Sequence, residues 1–447
     1  MRIRFWGTRG SIATPGPGTT RFGGNTSCVE LTTADGGCFV FDCGTGARAL
    51  GAELVRRGSA PLAATILLSH THWDHIQGFP FFAPLFVPGS RITVCGPEGS
   101  ARSLREVLAG QMEFTYFPVD IAQLPAAITF RELGEGTHEM GNARILAQYL
   151  HHPAMTLGYR IEADGASAVY LCDHEPFAET LSHDSVGVHD DASLASIVHE
   201  GDRRHARFMR DAGLVIHDAQ YTPEEYPAKK NWGHSTYEYA VDLAGMANVR
   251  RLVLTHHDPA HDDDFVLEVE GRAQRYAAQR GYSMNVCCAY EGLEVELEPH
   301  GGRHLTDVAA ALLPSGREPR RGLRVLVVDD DPDIRALASV ALTQDGHVVS
   351  EASSGAEALA LIDAQPFDLL VLDLLMPGQG GLEVLRILRA RPVTAALPVV
   401  VLTAMDDEAN TRAGFEAGAT DYVTKPFTIP QLAARVRACL TRSASPR

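Results

Sequence analysis

The sequence predicts an α/β protein in two globular parts. Three observations carry that expectation. At 447 residues the chain exceeds one ordinary domain. Over residues 1–298 short β-like runs alternate with helical patterns, which calls for sheets covered by helices. After a linker, apolar runs again alternate with helices, now in the regular β–α order of a doubly wound parallel sheet. The expected divisions are 1–298, a linker at 299–322, and 323–442.

The elements follow in order. "RIRFWG", "SCVELTT" and "CFVFDCG" open the chain as strands separated by Gly-rich turns. "ARALGAELVRRG" and "SARSLREVLAGQM" read as helices. "ATILLSH", "RITVCG", "SAVYLCD", "LVIHDAQ" and "RLVLTHH" read as further strands. Several strands end on a polar residue, namely His70, Asp173, Asp218 and His256, where α/β enzymes collect chemistry. "GFPFFAPLF" and "FTYFPVD" are candidates for a pocket wall, although such stretches more often fill a core. The stretch from Pro299 to Arg324 shifts towards Gly, Pro and Arg and reads as a linker, with a short helix expected at Asp307–Leu313. "RVLVV" then suits a strand buried on both faces. The following helix puts Ile334, Leu337, Ala338, Ala341 and Leu342 on one stripe. "DLLVLD", "LPVVVLTA" and "DYVTKPF" supply the later strands.

Composition narrows the function classes. A hydrophobic fraction of 45% with 21% charged residues is globular. Of the net charge of −17, residues 1–298 carry −14, the linker +2 and the remainder −5. That balance argues against stable DNA binding or wrapping of nucleic acid by phosphate neutralisation. It leaves room for a small phosphodiester held by metals. No apolar run reaches 18 residues and the N-terminus has no h-region, so neither a membrane span nor a secretory signal is expected. The eight cysteines form no CxxC pair, as in a reduced, cytoplasmic protein with buried thiols.

The densest chemical signal is "HTHWDH", which sets His70, His72, Asp74 and His75 within six positions after a strand. His70 and His72 suit one ion, and Asp74 and His75 another. Imidazole and carboxylate favour zinc, or else manganese. Further donors are His151 or His152, Asp173 as a bridging carboxylate, and His256. His234, in "NWGHST", has no assigned partner at this level. His183, His189, His199, His205 and His300 read as ordinary solvated or hydrogen-bonded histidines.

HTHWDH followed by single His, Asp, GHS and TH elements resembles the metallo-β-lactamase superfamily, in the branch of ribonuclease Z and the cyclic-phosphate phosphodiesterases. The resemblance covers about residues 1–298 and implies an αββα sandwich with two metal ions activating a hydroxide. It implies His70, His72 and His152 on the first ion, Asp74, His75 and His256 on the second, and Asp173 between them. It prefers His152 to His151 by spacing from the Gly of "GYRI", Gly158. It also implies His234 as a catalytic histidine off the metals, supported by Asp218, with Asp74 in the catalytic set. "WGTRGS" and "RFGGNTS" resemble the branch as well, so Asn25–Ser27 either approach the site or form a Gly-rich turn. About twenty residues separate His152 from Asp173, too few for the inserted arm of the tRNA-processing members.

In the second part, Asp329 and Asp330 end the first strand, Asp373 the third, Thr403 the fourth and Lys425 the fifth. Three carboxylates in one crevice suit Mg²⁺. Only three lysines occur in the chain, and one of them is Lys425. The pattern resembles a response-regulator receiver domain of flavodoxin-like (βα)5 fold over about 323–442. The resemblance implies Asp373 as phosphoacceptor, Asp329 and Asp330 as its Mg²⁺ partners, and Thr403, Tyr422 and Lys425 as switch residues. Gly380 departs from the acidic residue common at its position. A sensor histidine kinase or phosphotransfer protein is the implied partner.

The combined expectation is a phosphorylation-regulated, metal-dependent phosphodiesterase acting on a small, cyclic or linear, phosphodiester, with a homodimer compatible. The alternatives are a nuclease of ribonuclease Z type and a non-catalytic signalling module with structural metals.

Overall fold

The computed structural model describes residues 1–447 apart from 59–60, 99–101, 178–180, 182–193, 195, 300–321, 405–416, 426, 428 and 443–447. The helix expected at Asp307–Leu313 and the histidines at 183, 189 and 300 lie outside the described residues. The chain divides into two compact units, with the division falling within 300–321, outside the described residues. No described helix is long and apolar enough to cross a membrane.

The first unit holds two seven-stranded sheets. In the first, β1 (Arg2–Gly7), β2 (Cys28–Thr32), β3 (Cys38–Phe41), β4 (Ala63–Leu67), β5 (Arg91–Pro97) and β6 (Ala127–Leu133) lie side by side in chain order, and β14 (Glu294–Glu296) returns to pair with β1. The second contains β7 (Gly136–Met140), β8 (Ala143–Tyr149), β9 (Leu157–Ala163), β10 (Ala166–Leu171), β11 (Leu214–Asp218), β12 (Arg251–Thr255) and β13 (Asn285–Cys288), again neighbour to neighbour. Each sheet has three antiparallel and three parallel pairings. The strands expected from the sequence all form.

Strand patterns explain the layering. β3, β9, β10 and β11 are buried along their whole length, so they lie between layers. The inner faces of the two sheets meet where Phe41 stacks on Tyr170, ring centroids 4.9 Å apart, and where the Tyr159 hydroxyl donates to the Leu68 carbonyl at 2.6 Å. On the outer face of the first sheet, α1 (Ala47–Arg56) and α3 (Leu104–Gly110) bury Leu50, Leu54, Leu104 and Leu108. On the outer face of the second, α4 (Glu200–Met209), α5 (Tyr237–Met246) and α6 (Asp263–Gln279) bury Phe208, Leu243 and Val266. The result is the expected αββα order. Phe79, Phe82 and Leu85 belong to this core, whereas Phe81, Phe114 and Tyr116 of the same aromatic stretches are exposed. No disulfide joins the described cysteines; seven are buried and Cys287 is half-buried.

The second unit is a five-stranded parallel sheet of β15 (Arg324–Val328), β16 (Val348–Ala352), β17 (Leu369–Asp373), β18 (Val399–Ala404) and β19 (Asp421–Lys425), in the order β16-β15-β17-β18-β19. Helices α7 (Pro332–Gln344), α8 (Gly355–Ala364), α9 (Gly381–Ala390) and α10 (Ile429–Arg442) alternate with the strands. The stripe read from the sequence of α7 is the packed one: Ala338, Ala341 and Leu342 are buried, with Ile334 and Leu337 against the same cluster. Two clusters, one on each face of the sheet, give the doubly wound architecture.

Candidate metal centre and phosphoacceptor pocket

Parallel neighbours deliver their C-terminal ends to one rim. β10, β11 and β12 are adjacent, so Asp173, Asp218 and His256 emerge side by side. From the facing sheet, β3 ends at Asp42 and β4 leads through Ser69 to His70. A single helical turn, α2 (Trp73–Ile76), then folds Asp74 and His75 back towards the same rim. His152 follows β8.

Three donor groups result, each with ligand atoms within 4.8 Å of one another. One is His70, His72, His152 and Asp173. A second is His75, Cys172, Asp173 and His256, with Asp74 Oδ2 3.2 Å from Nε2 of both His75 and His256. Asp173 reaches both: Oδ2 lies 3.5 Å from His70 Nε2 and Oδ1 lies 3.1 Å from His256 Nε2. The third is Asp173, Asp218, His234 and His256. All the predicted metal residues therefore converge, and His152 rather than His151 faces the centre; His151 Nδ1 lies 3.0 Å from the Glu175 carbonyl instead.

The outer hydrogen bonds fix which nitrogen faces inward. His75 Nδ1 donates to Asp42 at 2.8 Å, His152 Nδ1 to the Gly233 carbonyl at 3.0 Å, and His256 Nδ1 to Gln220 Oε1 at 2.9 Å. The Ser69 hydroxyl donates to Asp42, so it accepts from His70 Nδ1 at 3.1 Å. In each case Nε2 is the atom left for a ligand. Asp74 is held by the Ser11 amide at 2.7 Å. Gly233, at φ 88°, has no room for a side chain: a Cβ there would lie 2.1 Å from His152 Nδ1.

These residues fit a pair of transition-metal ions. His70 Nε2, His75 Nε2 and Asp173 Oδ1 are buried without a hydrogen-bond partner, an arrangement that costs free energy unless something binds them. Burial holds His70 well below the ordinary histidine range and brings His152 down to about 3, so both are neutral donors. Burial opposes charge on Asp173 as well, but His256, His75 and His70 outweigh it and keep the carboxylate ionised. Burial also disfavours charge on His75, yet Asp74, Asp173 and Asp42 outweigh it and drive its pKa upward. An N/O donor set of this kind suits zinc or manganese. Cys172 was not singled out from the sequence; its Sγ lies among the second group and 3.7 Å from Ser27 Oγ.

His234 stands beside this centre, its ring stacked on His256 at 4.9 Å. Its Nδ1 bonds Asp218 Oδ2 at 2.6 Å. Burial disfavours the imidazolium, but Asp218 outweighs it and raises the pKa to about 9. Asp218 Oδ1 also accepts from Gln220 and Ser235 amides at 3.0 and 3.3 Å, which fixes the carboxylate. Asn25 is structural: its amide and side chain both bond Glu291. His199 caps α4 through the Gly201 amide, and His205 is buried against His217 rather than solvated, with their Nε2 atoms 3.0 Å apart.

In the second unit Asp329, Asp330 and Asp373 form a further carboxylate group. Lys425 Nζ lies 2.6 Å from Asp329 and 3.0 Å from Asp373. Burial raises the Asp373 pKa, with Lys425 opposing. The Thr403 hydroxyl is buried without a partner. The side chain of Tyr422 lies outside the described residues.

Comparison with known proteins matches each unit separately. The family model described as "Beta-lactamase superfamily domain" matches residues 38–257, and "Response regulator receiver domain" matches 325–437. The transcriptional regulatory protein TcrA of Mycobacterium tuberculosis is 42% identical over 139 residues, 30% of this chain and 54% of that protein. The chain thus spans about half the length of the curated relatives it matches. A response regulator structure from Chloroflexus aurantiacus is 39% identical over 27% of this chain and 98% of that one, TM-score 0.26. The short form of human tRNase Z is 21% identical over 66% of this chain and 99% of its own, TM-score 0.43.

Proposed function

Residues 38–257 are a beta-lactamase superfamily domain and residues 325–437 a response regulator receiver domain, and from that premise we propose a metal-dependent phosphodiesterase set by phosphorylation of Asp373. The carrying observation is the Asp173 carboxylate reaching two histidine groups, with the His234–Asp218 pair beside them. His70, His72, His152 and Asp173 would hold one ion, and Asp74, His75, His256 and Asp173 the other. Bound there, two ions supply Lewis acidity and a nucleophile at neutral pH. His234, protonated at Nε2 and turned by Asp218, donates to the departing oxygen of the substrate. Asp218, itself held by the Gln220 and Ser235 amides, orients the His234 ring through Nδ1. Asp42, Gln220 and the Gly233 carbonyl orient the histidines.

In the second unit Asp373 is the phosphoryl acceptor and Asp329 and Asp330 its Mg²⁺ partners. A phosphodonor such as a sensor histidine kinase is the matching partner. The added charge, close to −2, draws the unpartnered Thr403 hydroxyl and Lys425 inward.

The test is a screen of the metal-loaded full chain against cyclic nucleotides, cyclic phosphates and simple phosphodiesters, with and without a small phosphodonor, and with Asp373→Asn as control. Turnover of small diesters whose kcat/KM changes on phosphorylation is expected. No turnover with both metal equivalents bound would make the metals structural. Equal rates with Asp373 phosphorylated would remove the receiver from control of this activity.

A further inference from the structure

The segment "AKKNWGHS" before and around His234 holds two of the chain's three lysines and one of its three tryptophans. Its backbone is pinned from below. The Glu175 carboxylate accepts the Asn231 amide at 2.6 Å on one oxygen and the Gly233 amide at 2.9 Å on the other. The Tyr226 hydroxyl joins the first oxygen at 3.0 Å. Between the two clamped amides stands Trp232, 58% exposed. Scattered exposed aromatics are ordinary; the neighbours of this one are not. Lys229 Nζ lies 4.2 Å from the Trp232 ring centroid and 5.9 Å from that of Tyr221. The Tyr221 ring stands edge-on to His234 at 5.9 Å, and its hydroxyl is buried without a partner. No carboxylate among the described residues forms an ion pair with Lys229, although residues 1–298 carry a net charge of −14.

An exposed aromatic plate on a pinned backbone, an ammonium packed against that plate without an ion-pair partner, and an orphan hydroxyl thus gather beside His234. An aromatic plate holds a nucleobase by stacking, whichever base it is. A lysine ammonium is a point charge for a phosphate or sugar-phosphate oxygen. The hydroxyl lacks only a polar partner. We propose that Trp232, Lys229 and Tyr221 form the subsite for the leaving half of the substrate, and that this half is a nucleotide, its base stacked on Trp232 and its anionic oxygens facing Lys229. The assignment rests on the hydrolase reading of His234 for its place in the reaction, while the binding it requires is measurable without turnover.

The experiment compares adenosine 5′-monophosphate with ribose 5-phosphate, which carries an anomeric hydroxyl in place of the base, in equilibrium binding to the metal-loaded full chain. The base should improve affinity by about five- to hundredfold in the native protein, the scale of one stacked base. Trp232→Ala should collapse that ratio towards one, and Trp232→Phe, which keeps a ring, should retain most of it. Lys229→Met should weaken both ligands alike and flatten their salt dependence. Equal affinity for the two ligands in the native protein overturns the proposal, as does a ratio that survives Trp232→Ala. Nucleotide binding with this signature but no cleavage of any phosphodiester would sink the hydrolase reading alone. Cleavage of diesters without base preference would sink the subsite alone.

Discussion

Asp42→Asn tests whether buried hydrogen bonds, rather than the ligands alone, set the metal centre. The Asp42 carboxylate is fully buried and accepts from the Ser69 amide at 2.7 Å, the Ser69 hydroxyl at 2.9 Å, the Tyr170 hydroxyl at 2.7 Å and His75 Nδ1 at 2.8 Å. Asparagine keeps the shape and the oxygen facing Ser69, but puts an NH₂ where Oδ2 was. That NH₂ meets donors. The Tyr170 hydroxyl can rotate to accept. His75 can accept only by moving its proton from Nδ1 to Nε2, the atom that must face an ion. Losing such an outer partner weakens metal binding by about 10- to 100-fold, equivalent to about 1.4–2.7 kcal/mol. Loss of one hydrogen bond to a charged group should cost the fold about 1.5–3 kcal/mol. Competition against a chromophoric chelator, on the full chain, should show one equivalent weakened by that factor and the His70–His72–His152 equivalent unchanged. A folded variant in which both equivalents weaken equally, or neither does, would refute the reasoning.

Further outcomes follow from the same geometry. His234→Ala should keep both metals while lowering kcat by about 10²–10⁴, and loss of metal instead would make His234 a ligand. Because contact with Asp218 outweighs burial and raises the His234 pKa to about 9, its protonated form persists through neutrality and is lost as pH rises through that value. Asp218→Asn should therefore move the alkaline limb of the kcat profile to lower pH, and a limb that stays in place removes His234 as the acid. Gly233→Ala, whose Cβ would meet His152 Nδ1 at 2.1 Å, should strip the first metal group in the chelator assay. Gly36→Ala has the same φ of 88° with nothing within 4 Å, so it should lose stability without losing metal.

Much of the site was legible in the sequence because its donors are local or stand at strand ends. HTHWDH is one loop and one helical turn, and Asp173, Asp218 and His256 each close an apolar run. The residues that orient those donors were not legible. Asp42 sits 33 positions before His75 and reads as any acid after a strand; only the adjacency of β3 and β4 gives it a partner. Gln220 and Glu175 act through side-chain contacts to residues distant in sequence, which no periodicity marks. His205, read from the sequence as solvated or hydrogen-bonded, is the latter: it is buried against His174 and His217, a pairing only the fold supplies. The division into two sheets was implied by the resemblance rather than by the strand patterns, because fully buried strands carry no alternation to say which face is inner.

One feature of the backbone reaches beyond the chemistry. Ser11, Asp42, Asp173 and His256 all have positive φ, between 56° and 62°, and all belong to or contact the donor cluster. Asp, Asn and His enter this region more often than other side chains and serine less readily, and every such residue gives up some stability for its position. Glycine at 173 or 256 would relax the chain and delete a candidate donor in the same step. A population of variants selected for thermal resistance alone, grown without transition metals, should therefore drift towards glycine at these positions first. What would emerge is a sturdier scaffold without the donor set, so these backbone positions mark a constraint that stability alone does not supply.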